Sequence, residues 1–306
     1  MASSEPSKAR GVDPVAARAA LSRLARQREI PWLHGEIARR LIERLAPIRL
    51  EPRRIVEWWA GGGGGDDLLR SAYPRAERVA VEADAVSAAR RRARERRPWW
   101  SLAKAGALVL DEGASDAEIG RAQLVWANMA LHLVVDPPAL FARWHGLLEV
   151  DGVVVFSCLG PGTLSELRDL YRGEGWPTPT PGYIDMHDLG DMLVAAGFAD
   201  PVLDQETITL RWKSAEALLA ELRLLGGNTA PARYPALRTP AWRDRLLAAL
   251  RRRADGDGSI GLAIEIAYGH GFKPAPRLRA GTPVAVSLDD MRAMVRRPAR
   301  RHEGVR

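Results

Sequence analysis

The chain has only one cysteine, Cys158, among its 306 residues, which excludes an intramolecular disulfide and a cysteine-rich metal site. Its six histidines are scattered, with no pair four residues apart, so no metal site is predicted. No run of about 18 uncharged apolar residues occurs, and the amino terminus lacks the apolar core of a secretory signal. These absences together predict a cytoplasmic protein without a membrane-spanning segment.

Lysine is also scarce, because only four of the 45 basic residues are lysines and the rest are arginines. The net charge of +7 suits a nucleic-acid partner, but a bias towards arginine and alanine is also what a GC-rich genome produces. We therefore predict no specific nucleic-acid binding. The densest arginine block, residues 90–97, has two interpretations: a solvated helix face, or a docking surface for an acidic partner.

Glycine, by contrast, is concentrated at one point, in five consecutive positions at residues 61–65. This run follows the apolar stretch 55–60, and a second apolar stretch, 79–81, ends in Glu82. A strand, a glycine loop, a helix and a strand that closes on an acid form the layout of a nucleotide-binding βαβ unit. Glycine lets the backbone approach a ligand closely, and the acid accepts hydrogen bonds from ribose hydroxyls. The sequence therefore predicts a nucleotide or nucleoside ligand.

The residues around the glycine run narrow the class of ligand. The run contains no lysine, so it is not the phosphate-binding loop of a P-loop NTPase. Glu57, a few residues before it, would repel a pyrophosphate but attract a cation. S-adenosylmethionine carries an ammonium and a sulfonium group, so this pattern indicates a methyltransferase.

Apolar runs separated by helical patterns continue along the chain and predict an α/β fold with a buried parallel sheet. Further strands are predicted at residues 108–110, 124–131, 153–159, 207–212 and 259–272, with helices before, between and after them. Outside this pattern we expect a disordered tail at 1–12, a mobile lid in the Pro/Gly-rich stretch 160–183, and a basic tail at 276–306.

Polar side chains stand at or near the ends of four predicted strands. Ligands of parallel sheets bind at the carboxyl ends of the strands, near the point where the strand order reverses. Residues at these ends therefore line the expected site, and they are Glu57, Glu82, Asp111 and Asn128.

Four stretches, at residues 159–171, 186–204, 209–228 and 264–274, resemble the carboxyl-terminal half of the malonyl-[acyl-carrier protein] O-methyltransferases of biotin synthesis. The resemblance extends over roughly residues 35–275. It implies a Rossmann-like class I methyltransferase with a seven-stranded, mostly parallel sheet, helices on both faces, and an α-helical insertion or lid at about 160–238 within a domain of residues 13–275. It also implies S-adenosylmethionine as cofactor and malonyl-acyl carrier protein as partner, whose free carboxylate receives the methyl group.

The same resemblance implies roles for individual residues. Glu57, Gly61 and Gly63 would hold the methionine end of the cofactor, and Glu82 the ribose. Asp111 would hold the adenine amine, while Asn128 would lie beside the transferring methyl group. A cation is expected near the malonyl carboxylate, and the candidates are Arg168, His187 and His132.

Two positions depart from the pattern of the family. Trp59 stands where the first glycine of the motif is expected, and it would crowd the methionine end of the cofactor unless the loop takes another path. Gln123 stands where an acid commonly opens the fourth strand. These departures keep two alternatives open: a non-catalytic binding or assembly protein with a methyltransferase fold, or an enzyme that modifies a protein side chain.

Overall fold

The computed structural model describes residues 11–27, 29–95 and 106–276, and its residues up to Pro274 form one compact unit. Most of both expected tails, and Arg97 in the arginine block, lie outside the described residues. The core is one seven-stranded sheet with the order β3-β2-β1-β4-β5-β7-β6. Its strands are β1 (Arg54–Trp58), β2 (Glu77–Glu82), β3 (Leu108–Asp111), β4 (Ala122–Ala127), β5 (Leu148–Leu159), β6 (Ala199–Trp212) and β7 (Ile260–Phe272).

Strand direction follows from how the strands are connected. Neighbours among β1 to β5 pair in parallel, and helices cross over between most of them. Among the described strands β7 alone runs opposite to the rest, because it pairs antiparallel with both β5 and β6. The carboxyl ends of β1, β2, β3 and β4 therefore lie at one edge of the sheet, and the strand order reverses between β1 and β4.

Helices cover both faces of the sheet, as expected. The described helices are α1 (Pro14–Arg26), α2 (Trp32–Leu45), α3 (Ala60–Gly63), α4 (Asp66–Ala72), α5 (Ala85–Glu95), α6 (Asp116–Ile119), α7 (Pro137–Leu147), α8 (Ser165–Gly173), α9 (Met186–Ala195), α10 (Ala215–Leu224) and α11 (Pro240–Arg251). Side-chain oxygens cap the amino ends of several of them, for example Asp13 on α1 and Thr239 on α11. None of these described helices combines the length and apolar character that crossing a membrane requires.

The two-sided core explains why the central strands are mostly apolar. Along β5, Val153 and Val155 pack into the cluster that contains α2, α8, α10 and α11. Val154 and Phe156 point the other way, into the cluster that contains α1, α7 and α9. Because successive side chains of a strand alternate between faces, a strand buried on both sides is mostly apolar, and buried polar residues such as Ser157 are exceptions with hydrogen-bond partners.

Four boundaries predicted from the sequence were wrong, and one of them is the start of β5, which begins at Leu148 and not at residue 153. The fourth strand does not run over 124–131 but ends at Ala127, because Met129 has a left-handed backbone (φ +51°) and Leu131–Leu133 form a 3-10 turn. The expected strand 207–212 is the end of a longer one, β6, which pairs with β7 along most of its length. The segment 160–238 is consequently not one helical insertion, since β6 within it is part of the sheet.

Candidate active site

Two buried carboxylates face the glycine-rich segment at the carboxyl edge of the sheet. Glu57 is the penultimate residue of β1 and Glu82 is the last residue of β2, and both are almost completely buried. A Cβ atom on Gly61 would lie 2.8 Å from Oε2 of Glu82, so only glycine permits this close approach. The structure therefore brings together three of the residues that the sequence placed around the cofactor.

The side chain of Asn128 is hydrogen-bonded to the backbone of Gly63. The Nδ2 atom of Asn128 donates to the carbonyl oxygen of Gly63 and, over 2.8 Å, to that of His34. Its Oδ1 atom accepts a hydrogen bond of 2.7 Å from the hydroxyl of Ser157. All three polar contacts of the Asn128 amide are internal, so this side chain ties β4 to the glycine segment, α2 and β5, and its placement does not support a role beside a transferring methyl group.

Two acids stand at the end of β3, Asp111 and Glu112, and only Asp111 was expected from the sequence to contact the cofactor. The carboxylate of Asp111 accepts a hydrogen bond of 2.9 Å from the backbone amide of Gly113 and thereby closes a turn. Glu112 instead contacts Trp59, whose indole donates a hydrogen bond of 3.3 Å to its Oε2 atom. Burial raises the pKa of Glu112, opposed by that hydrogen bond. The sequence analysis missed Glu112, although the paired acids at the strand end were the available signal.

Trp59 adopts the backbone conformation that glycine would adopt in its place. Its φ is +51° and ψ is +47°, the left-handed region that is costly for a side chain with a Cβ atom. The backbone amide of Trp59 donates to the carbonyl oxygen of Val81 over 2.6 Å. The sequence had suggested that Trp59 would crowd the methionine end of the cofactor. Its indole is instead buried and points towards Glu112, so it fills the nucleoside side of the expected site.

Arg91, on α5, places a guanidinium group between the two buried carboxylates. Its nitrogen atoms lie 3.5 Å from a carboxylate oxygen of Glu57 and 3.5 Å from one of Glu82. Two further acids, Asp66 at 3.0 Å and Glu95 at 2.9 Å, complete its surroundings. Burial raises the pKa of Glu57 to about 7 and also raises that of Glu82, while Arg91 opposes both shifts.

The position of Arg91 removes its side chain from the docking face expected at residues 90–97, of which Arg96 and Arg97 lie outside the described residues. The side chain of Arg91 is only 11% exposed, and Arg94 donates a hydrogen bond of 2.8 Å to the backbone carbonyl of Gln27. Both arginines are therefore committed to contacts within the chain.

Gln123 lies at the opposite edge of the sheet, near the start of β4. Its Oε1 atom accepts hydrogen bonds from the backbone amides of Arg53 and Arg54, over 3.0 and 2.9 Å. It joins the first residues of β1 and β4, so the absence of an acid at this position does not bear on cofactor binding.

The candidate cations for the substrate occupy three different environments. Arg168 is half-buried and donates to the backbone carbonyls of Thr163 and Pro161. His187 is exposed in the first turn of α9, away from the carboxylates. His132 is buried in the 3-10 turn after β4, and burial, with His34 nearby, lowers its pKa to about 3. It is therefore neutral at physiological pH, and the expected cationic role for His132 is wrong.

His132 lines a mainly apolar cavity, which we call the inner chamber. The chamber has a volume of about 100 Å³ and is bounded by α2, the end of β5, α8 and the segment that leads to α9. Among the described atoms, Nδ1 of His132 and Oγ1 of Thr180 are buried here without a hydrogen-bond partner. Buried polar groups are normally paired, so these two atoms indicate a polar ligand.

The inner chamber adjoins a second space, the strand-end pocket, which is bounded by Trp59, Gly62, Glu82 and Asn128. His34 and Met129 line both spaces. His34 contacts the carbonyl oxygen of Gly62 through Nδ1 over 2.7 Å, and burial lowers its pKa to about 4. The two cavities are thus separated by these side chains alone, with the glycine segment on one side and a substrate-sized chamber on the other.

Helix α1 covers the strand-end pocket. Leu21, Leu24 and Ala25 line that pocket from above. Helix α1 and the residues next to it are hydrogen-bonded to the end of α10 and to the segment that follows it. Arg23 donates to the carbonyl oxygen of Gly226, and Gln27 donates to that of Leu224 over 2.7 Å. The backbone amide of Asp13 donates to the carbonyl oxygen of Thr229 over 2.8 Å.

The acceptor groups at the strand ends suit S-adenosylmethionine, but the space available there does not. Two buried carboxylates and a close-approach glycine match a ligand with cationic groups and ribose hydroxyls, and Oε1 of Glu57 is buried without a partner. The strand-end pocket, however, has a volume of only about 20 Å³, because Trp59 and α1 fill it. A larger cavity of about 330 Å³ on the other side of Gly61 is lined by Arg91 and its acids. The residue chemistry fits the cofactor, but the strand-end pocket leaves little room for it.

The strand order, the single antiparallel strand among those described and the acids beside a glycine-rich turn define a class I methyltransferase fold. A crystal structure of a putative methyltransferase from Bacillus halodurans C-125 has this fold, with a TM-score of 0.50 and 12% identity over 78% of this chain and 100% of that one. No protein-family model matches the chain.

Curated relatives give the family. The chain is 36% identical to a malonyl-[acyl-carrier protein] O-methyltransferase from Gallionella capsiferriformans, over 87% of this chain and 93% of that protein. It is 35% identical to one from Laribacter hongkongensis, over 86% of this chain and 88% of that protein. The chain belongs to the malonyl-[acyl-carrier protein] O-methyltransferase family, which confirms the resemblance inferred from its sequence, and it is therefore a class I, S-adenosylmethionine-dependent methyltransferase.

Proposed function

We propose that the chain transfers a methyl group from S-adenosylmethionine to the free carboxylate of a malonyl group on acyl carrier protein, as the names of its relatives state for them. In biotin synthesis the resulting ester would mask the negative charge. The observation that carries this proposal is the inner chamber with its two unpaired polar atoms, which lies directly against the strand-end pocket.

The cofactor supplies a methyl group bound to a positively charged sulfur. In our proposal the carboxylate of Glu57 binds the positively charged methionine end of the cofactor, and that of Glu82 binds its ribose. The backbone of Gly61 and Gly63 approaches the cofactor closely. Glu112 takes the place that the sequence assigned to Asp111, because it is the acid that contacts Trp59. Asn128 fixes the shape of the glycine segment.

Neutral groups hold the substrate carboxylate in this proposal. His132 offers an unpaired ring nitrogen and Thr180 an unpaired hydroxyl in the inner chamber. Tyr183 lines the same chamber, and burial raises its pKa, so its hydroxyl stays protonated and able to donate. A carboxylate bound by neutral donors and shielded from water keeps its negative charge available for attack on the methyl carbon, whereas an arginine partner would stabilise it in the ground state.

The direct test is the mass of the carrier protein after incubation with the enzyme and cofactor. We expect malonyl-carrier protein to gain the mass of one methyl group, and acetyl-carrier protein, which has no free carboxylate, to gain nothing. An unchanged malonyl-carrier protein, under conditions in which calorimetric titration shows that S-adenosylhomocysteine binds, would reject the proposal.

The closed strand-end pocket bears on the alternative that the sequence left open, a methyltransferase-fold binding protein without activity, which the family of the chain disfavours. The space that a cofactor needs is filled by Trp59 and α1, and the carboxylates that it needs are paired with Arg91. This alternative expects neither S-adenosylmethionine nor S-adenosylhomocysteine to bind in calorimetric titration. Binding of either one, weakened by Glu82→Ala, would exclude it.

A further inference from the structure

A third cavity, which we call the outer vestibule, opens at the surface between α8, α10 and α11. Its volume is about 490 Å³, several times that of the inner chamber. Aromatic side chains form much of its wall: Tyr171 and Trp242 line it, and Trp176 packs behind them with its ring 5.2 Å from that of Tyr171 and 5.4 Å from that of Trp242.

The vestibule is strongly positive. Four arginines line it, and no aspartate or glutamate is found among the described residues that do so; these arginines are Arg223, Arg233, Arg238 and Arg243. The guanidinium of Arg238 is stacked on Tyr234 and Trp242, 3.8 and 4.2 Å from the ring centres. Arg233 is paired with Asp13 over 3.3 Å, whereas Arg223 and Arg243 are exposed and have no ion pair within the described part of the chain. Like charges this close favour an anionic ligand that neutralises them.

The vestibule leads inward to the site described above. It shares five lining residues with the inner chamber: Leu167, Pro179, Leu222, Gly227 and Asn228. The chamber in turn shares His34 and Met129 with the strand-end pocket. The three cavities therefore form one series, with a cationic mouth at the surface, a mainly apolar middle and the buried carboxylates at the inner end.

We propose that the outer vestibule is the docking surface for the acyl carrier protein, and this inference rests on the proposed function. Arg223 and Arg243 contact the anionic face of the carrier protein and the phosphodiester of its phosphopantetheine arm. The arm then passes Asn228, and the malonyl group at its end reaches His132 and Thr180 in the inner chamber. Three lining arginines without an ion pair among the described residues, Arg223, Arg238 and Arg243, match in charge an acidic protein with a phosphate-bearing arm, and the narrow chamber beyond them admits only the arm.

The test compares two double variants that remove the same charge. Arg223→Gln/Arg243→Gln changes the vestibule, and Arg75→Gln/Arg245→Gln changes two exposed arginines outside it, one of them on the same helix, α11. The dissociation constant of fluorescently labelled malonyl-carrier protein is measured by anisotropy at low and at high salt. Thermal unfolding checks that both variants are folded.

We expect the vestibule variant to bind carrier protein roughly tenfold more weakly than the control variant at low salt, and to show a smaller dependence on salt. Equal affinity in the two variants would overturn the inference. Free coenzyme A that competes as well as the carrier protein would also overturn it, because the surface would then recognise the phosphate-bearing arm and not the protein.

Kinetics separate this inference from the proposed function. The ratio of kcat/KM for malonyl-carrier protein to that for a small malonyl thioester should fall roughly tenfold in the vestibule variant, through KM of the carrier protein. An unchanged ratio in an active enzyme would reject the docking surface and leave the methyl transfer intact. A wild-type protein that binds cofactor and methylates neither substrate would reject the proposed function, while the anisotropy measurement would still decide on docking.

Discussion

The Nη2 atom of Arg91 lies 3.5 Å from Oε2 of Glu57, and its Nη1 atom lies 3.5 Å from Oε1 of Glu82. One arginine of the chain itself thus occupies the place beside Glu57 expected for a cationic group of the cofactor, and it also contacts Glu82, the acid expected to bind the ribose. The guanidinium balances two carboxylates that are buried at a cost, since burial favours their neutral forms.

We expect Arg91→Gln to bind S-adenosylhomocysteine more tightly than the wild type, because it removes a cation that competes with the ligand's ammonium for Glu57 and with its ribose for Glu82. The same change should lower the free energy of unfolding by about 3 kcal/mol, since it leaves buried charges unpaired. Calorimetric titration and urea unfolding measure the two effects. Arg91→Lys keeps the charge and serves as the control, and a folded Arg91→Gln protein with wild-type affinity would contradict the prediction.

Replacement of Trp59 should open the strand-end pocket. Trp59→Gly relieves a left-handed backbone, worth about 1 kcal/mol, but loses the packing of a buried indole, which costs about 3 kcal/mol or more. We therefore expect a lower melting temperature together with tighter binding of S-adenosylhomocysteine. Trp59→Ala removes the same indole while keeping a Cβ atom, so a gain in affinity seen in both variants would be due to volume, and a gain confined to glycine would be due to backbone conformation. No gain in either would show that Trp59 does not obstruct the site.

The hydroxyl of Ser157 should matter for stability, because it accepts a hydrogen bond of 3.0 Å from the amide of Met129 and donates to Asn128. Ser157→Ala leaves both partners buried and unpaired, and we expect it to lower the free energy of unfolding by about 2 kcal/mol. Cys158→Ala, at the next buried position, removes a side-chain atom that makes no hydrogen bond among those described and measures the packing loss alone. Urea unfolding in which the two variants lose equal stability would show that the polar contacts contribute nothing.

The stability of the fold should fall below pH 6.5. The pKa of His132 in the folded chain is about 3 and that of His34 about 4, both below the ordinary value of 6.5. The unfolded chain therefore binds protons first as the pH falls, and each histidine removes about 1.4 kcal/mol per pH unit between 6.5 and its folded pKa. Glu57, with a raised pKa of about 7, acts in the opposite direction between pH 7 and 4.5.

His132→Gln tests this dependence on pH. Urea unfolding at several values between pH 4.5 and 6.5 should give a slope that is smaller by about 1.4 kcal/mol per pH unit than that of the wild type. His187→Gln, at an exposed position, is the control for the change from histidine to glutamine. A His132→Gln slope equal to that of the control would mean that His132 takes up its proton in the folded chain as easily as in the unfolded one.

The positions of most strands could be predicted from the sequence because these strands contain continuous runs of apolar residues. β1, β2, β3 and β7 lie within a residue or two of their expected places. The fourth strand was extended too far because residues after Ala127 are also mostly apolar, and the left-handed backbone at Met129 that ends it leaves no mark in the pattern of hydrophobicity.

Side-chain direction was harder to predict than the position of the elements. Asp111 and Glu112 are neighbours at the end of a strand, where a shift of one residue reverses the direction of a side chain. Arg91 stands in a block of arginines that resembles a solvated helix face. The small buried residues Ser87 and Ala88, four and three positions before it, were the sign that this side of α5 faces inward. Arg91 is held in this position by acids that are distant from it in the sequence, and such contacts leave no local sequence pattern.

Helix α1 has a consequence for the order in which ligands bind. It closes the strand-end pocket on one side and is hydrogen-bonded to the segment after α10 on the other, beside the vestibule. Whichever ligand displaces the helix first bears the free energy of that displacement, and the second then binds to a chain already opened. Cofactor and carrier protein should therefore strengthen each other's binding by the same factor, a reciprocal coupling in which a single helix acts as the shared gate.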